Sequence, residues 1–202
     1  MLEPGTRALL GLAAALGTRD PARVRHAAMQ AAQHADPEAV EELLLQSHLF
    51  IGFPDAISAL AAWREVSGRA APAALNEAAA NWAARGEQLC ASVYGGNYAR
   101  LRANVAELHP EMDRWMVEGG YGRVLGRPGL DLATRELGIV ALLATWGAPR
   151  QLHSHLRGAL NAGATADQVD GAVELACDLL DAGRAAGVRE LWLGIRIRRE
   201  AA

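Results

Sequence analysis

Apolar residues recur three and four apart through nearly every window of this chain, as in Val40, Leu43, Leu44 and again in Leu152, Leu156, Ala159, Leu160. Such spacing puts a continuous apolar stripe on an α-helix and scatters it over both faces of a strand. Alanine and leucine dominate, and aromatics make up only 5% of the residues. Both are strong helix formers, and no alternating β-branched run bounded by hairpin turns competes with them. The fold class is therefore all-α, a helical bundle.

Start and stop signals divide the chain into helices at about 5–16, 21–34, 37–50, 54–66, 72–94, 98–106, 110–119, 131–146, 148–162, 166–181 and 184–199. Asp36, Asp131 and Thr165 read as helix starts, because a short polar side chain can accept from the free amides of a first turn. Pro37 gives up a donor that no partner would use. Gly163 reads as a stop, and Gly95-Gly96 and Gly119-Gly120 read as turns, since no strand precedes them to make a phosphate loop. A faint repeat appears when residues 6–35 are laid on 134–163: Thr6-Arg7 meets Thr134-Arg135, Pro21 meets Pro149, and Ala31 meets Ala159. This divides the chain into two related units, 1–70 and 71–202.

With 51% hydrophobic and 21% charged residues, a chain of 202 residues has the means to bury a sizeable core. The net charge of -3 carries no broad basic face, which argues against nucleic acid as a partner. Arg196, Arg198 and Arg199 cluster near the C-terminus, where cations suit the dipole of a helix end. All 20 basic residues are arginine, so Schiff-base chemistry through a lysine is excluded. Cys90 and Cys177 stand far apart with no CxxC, which points to neither a disulfide framework nor a thiolate metal site. No membrane span or basic-headed signal segment is evident, so a cytoplasmic protein is expected.

Two side chains could carry chemistry. His155 lies four residues after Gln151 on one helix face, beside Leu152, Leu156 and Ala159. Glu136 shares a face of the preceding helix with Ile139, Val140 and Leu143. A short Trp146-Gly147-Ala148 turn would fold the two helices into a hairpin, and Glu136 and His155 could then form an acid/base pair shielded from water. A hydrogen-bonded core pair fits the same spacing. His153 and Arg157 are each two positions from His155, about 200° around the helix, and should point elsewhere. His48, near Phe50-Ile51-Gly52-Phe53-Pro54, reads as a helix-end residue. The six histidines, at 26, 34, 48, 109, 153 and 155, show no metal-binding spacing, and no metal or other cofactor is expected.

The run from Tyr121 to Leu137, YGRVLGRPGLDLATREL, followed by QLHSHLRGALNAG from Gln151 to Gly163, resembles the carboxymuconolactone decarboxylase family. The likeness spans roughly 86–190, with a weaker match at 6–60 carried by Pro37 to Leu45 and by Ile51-Gly52-Phe53-Pro54. That family shares an all-helical fold with the alkylhydroperoxidase D proteins, whose motif is a glutamate, eleven residues, CxxC, three residues and a histidine. Glu136 and His155 take the glutamate and histidine positions, while the cysteine positions fall on Ala148 and Gln151, which removes the thiols that peroxide reduction needs. The decarboxylase branch often has glutamate where Gln151 stands. In the first unit the same positions are Ala8 and Ala27, so that unit lacks the pair.

The resemblance implies a lyase acting on a small carboxylated lactone or oxo acid. His155 would be the acid/base and Glu136 its orienting partner. Gln151 would be a hydrogen-bond donor to the substrate, and Arg135 a candidate for the substrate carboxylate, although a structural pairing suits Arg135 equally. The alternative is a non-catalytic scaffold or binding protein on the same fold. The resemblance further implies a homo-oligomer, with a trimer of two-unit chains expected.

Overall fold

A computed structural model describes residues 2–200, with the side chain of Glu200 outside the description. The described residues contain ten α-helices and no strand: α1 Pro4–Thr18, α2 Pro21–His34, α3 Pro37–Ser67, α4 Ala80–Tyr94, α5 Tyr98–Leu108, α6 Pro110–Trp115, α7 Leu132–Trp146, α8 Pro149–Asn161, α9 Ala166–Cys177 and α10 Ala182–Glu200. The three expected caps form. Asp36 accepts from the Glu38 amide at 2.9 Å, Asp131 from the Thr134 amide at 2.9 Å, and Thr165 from the Gln168 amide at 3.2 Å in a reciprocal capping box. Gly147 (φ 88°) and Gly163 (φ 102°) end α7 and α8 in backbone conformations that a side chain would strain.

The chain groups into two compact units, one made of the residues up to Ala71 and those from Gly129 on, the other of Pro72–Pro128. This grouping differs from the sequence division at residue 70. Within the first unit, helix starts recur at the same spacing, Pro4 against Leu132 and Pro21 against Pro149. The two arms interleave because α1 and α7 pack an apolar face of each against the other. Leu10, Leu12 and Ala13 of α1 and Val140, Ala141 and Leu143 of α7 are all fully buried.

The crossing of α1 and α7 is tight. Thr145 Oγ1 donates to the Ala14 carbonyl at 2.8 Å, and a Cβ added at Gly17 would fall 2.1 Å from Thr145 Oγ1 and 2.2 Å from the Leu142 carbonyl oxygen. A backbone oxygen in a packed helix cannot give way, so a methyl here must separate the helices. Gly17→Ala is expected to destabilise the fold by about 1–3 kcal/mol, read from chemical denaturation. An unchanged midpoint would show that the crossing is looser than this geometry.

Three boundaries differ from the sequence expectation. The helix expected from residue 72 begins at Ala80; alanine-rich composition alone does not hold residues 72–79 helical where Pro72 stands and no apolar stripe has formed. Gly119-Gly120 is not a turn. It lies within a π-helical segment, Met116–Leu125, that continues α6. Its neighbour Gly122, with Gly86 on α4, lets backbones touch: added Cβ atoms would sit 2.0 Å from the Trp82 carbonyl oxygen and 2.1 Å from that of Val117. The helix expected to run to 181 ends at Cys177.

By length and composition α3 could cross a membrane. Gly52, at φ 77° and ψ 171°, however, breaks it into two helices, each shorter than the roughly 20 residues a span needs.

Candidate active site

Glu136 sits in the second turn of α7, whose register is set by the Asp131 cap, and His155 in the second turn of α8, whose start is fixed by Pro149 and the Gly147 turn. The hairpin brings them together. His155 Nδ1 donates to Glu136 Oε2 at 2.8 Å, with Glu136 0% and His155 6% exposed. Val140, Leu152 and Leu156 are fully or almost fully buried on the same two helices. The edge of the His155 ring is met by Phe50 of α3 at 5.9 Å between centroids, in a T-shaped arrangement. Periodicity had no means to reveal this contact, because Phe50 comes from the other arm of the chain.

The other carboxylate oxygen, Glu136 Oε1, is buried and has no hydrogen-bond partner among the described residues. An ordinary core pair satisfies both oxygens, since leaving a buried acceptor unmade costs about 1–3 kcal/mol.

Gln151 is exposed on α8, four residues before His155 and on its side of the helix. Arg135, expected as a candidate for a substrate carboxylate, is instead fully internal and committed. At 0% exposure its Nη2 pairs with Glu42 Oε2 at 2.9 Å, its Nη1 donates to Gln46 Oε1 at 3.0 Å, and its Nε donates to the Leu130 carbonyl at 3.0 Å. Gln46 returns a bond to the Arg135 carbonyl at 3.2 Å. Arg135 therefore ties α7 to α3 and lies one residue from Glu136, so it braces the site without facing a ligand. Glu42 and Gln46 went unnoticed in the sequence, although their four-residue spacing inside the Val40-Leu43-Leu44 stripe was a signal.

Other expected residues fall elsewhere. His48 stacks on Phe53 at 5.0 Å and bonds the Leu45 carbonyl at 2.6 Å, as a helix-end residue would. Cys90 and Cys177 are both buried and form no disulfide, and burial pushes the Cys177 thiol above its ordinary pKa, the opposite of a reactive thiolate. Among the described residues no three His, Cys, Asp or Glu side chains converge as metal ligands.

Residues 110–192 match the model of the carboxymuconolactone decarboxylase family, a span that contains both Glu136 and His155. Over 189 residues the chain is also 26% identical to a protein of Schizosaccharomyces pombe named Peroxisomal protein 2, covering 89% of this chain and 87% of that relative.

Proposed function

We propose that this chain, a member of the carboxymuconolactone decarboxylase family through residues 110–192, is a decarboxylase-like lyase for a small carboxylated lactone or related oxo acid. The observation that carries the reading is the buried 2.8 Å bond between His155 Nδ1 and Glu136 Oε2, with Oε1 left unpartnered among the described residues. Decarboxylation breaks the bond between a carbon and its carboxylate and leaves the electron pair on that carbon. The pair must spread into a neighbouring carbonyl and then take up one proton. With Nδ1 held by Glu136, Nε2 is the ring nitrogen that would deliver that proton. Gln151, exposed on the same side of α8, would donate to the developing enolate oxygen. Phe50 and the aliphatic side chains about the ring favour an uncharged lactone or acyl body over bulk water.

A second reading, a non-catalytic binding or scaffold protein, draws on Ala8 and Ala27 standing where the first arm would carry the pair. A panel of lactone carboxylates and 2- and 3-oxo acids, read by carbon dioxide release, separates the two. Turnover of at least one member is expected, and binding without release across the panel would favour the second reading.

A further inference from the structure

On the side of α8 away from His155 lies a cavity of about 540 Å³ lined by Arg157 and Leu160 of α8 and by Ile195, Arg198 and Arg199 of α10. The residues stand three or four apart on each helix, so each helix contributes a single stripe. We propose that this cleft is a binding site for a small organic polyanion, a di- or triphosphate or a tricarboxylate, separate from the Glu136–His155 centre.

The charges are what set the cleft apart. Several arginines of this unit are matched to acids, among them Arg189 with Glu174 at 2.6 Å, Arg196 with Asp170 at 2.6 Å and Arg135 with Glu42 at 2.9 Å. Arg157 and Arg198 have no hydrogen bond or ion pair with any described residue, and Arg199 donates only to the neutral Asn161 Oδ1, at 2.8 Å. Cations at a helix C-terminus explain Arg198 and Arg199 but not Arg157, which comes from a different helix and converges on the same space. The carboxyl ends of two helices offer roughly half a negative charge each. Among the described residues lining the cleft there are three guanidinium charges and no carboxylate.

His153, on α8, registers that field: burial first, then Arg157 and Arg198, hold its imidazole below the ordinary histidine range. The two guanidiniums thus act on one region from both helices. Planar guanidinium forks grip phosphate and carboxylate oxygens two at a time, which an ammonium cannot do. The volume fits a small molecule, typical sites being roughly 300–1,000 Å³. Leu160 and Ile195 give the cleft an apolar floor for the body that carries the charges. On a chain of net charge -3, a single cleft with three guanidiniums suits such a ligand better than the long backbone of a nucleic acid.

The test is calorimetric titration of the full chain with inorganic pyrophosphate and, separately, citrate at physiological salt. Saturable binding of one ion per chain is expected for at least one of them, and the two arms tell phosphate from carboxylate chemistry. Arg157→Gln and Arg198→Gln should each weaken it by at least about tenfold. Arg150→Gln, an equal charge change at an exposed position of α8 outside the cleft, should leave it unchanged. No saturable binding of either ion by the wild-type chain up to about 10 mM, or equal weakening by Arg150→Gln, would overturn the proposal.

Discussion

Arg135→Met should cost the fold about 3–5 kcal/mol, measured by urea denaturation, a large part of the 5–15 kcal/mol that holds a typical domain. Methionine fills much of the arginine's volume but supplies no donor. Glu42 Oε2, Gln46 Oε1 and the Leu130 carbonyl then lose their bonds from the guanidinium while remaining inside the protein. The penalty comes less from the lost attraction than from buried acceptors whose bonds to the guanidinium are left unmade. Removing both charges should therefore be milder than removing one. Arg135→Met with Glu42→Met is expected to recover more than half of the loss, a coupling well outside additivity. A single-variant cost below about 1 kcal/mol would mean that water reaches Glu42 and that the network is not a brace.

That brace shows why parts of the molecule were legible in the sequence and others were not. The caps at Asp36, Asp131 and Thr165 are local chemistry, a side chain answering amides two or three residues away, and pattern alone finds them. Glu136 and His155 lie on consecutive helices joined by a short turn, so the apolar stripe and the turn suffice to bring them within reach. Arg135 was ambiguous for the opposite reason. Its partners stand 89 and 93 residues earlier, in the other arm, and periodicity reports that a face is buried without saying against what. Phe50 was hidden in the same way.

The glycines mark a second limit. Gly119-Gly120 looks like a turn because glycine destabilises helices. The segment stays π-helical through both glycines, and the close approach of α4 falls at Gly122, not at Gly119 or Gly120. Residues 72–79 show the converse, since helix-forming composition without a face to bury does not make a helix. The interleaving of α1 with α7 has no local signature either. A repeat shows that two arms are alike, but not that each supplies the other's core.

For the site itself, the sharpest expectation concerns His155→Gln. Glutamine can still donate to Glu136 Oε2 from the same place on α8, so the buried carboxylate keeps a partner and the fold should hold, with a melting temperature within a few degrees of wild type. It cannot take up and release a proton near neutral pH. If His155 is the acid that protonates the carbon, carbon dioxide release on the best substrate should fall by about a hundredfold to ten-thousandfold, in kcat and with little change in KM. His155→Ala should lose activity as fully, but it also strands Glu136 and should melt earlier by an amount that reflects an unpaired buried carboxylate. Glu136→Gln should lose less, because it weakens the orientation of the ring without removing the ring. A pair that merely fills the core predicts a different order: His155→Ala would lose stability, and no variant would change a rate. Unaltered turnover in His155→Gln would remove His155 from the chemistry, whatever the distance to Glu136.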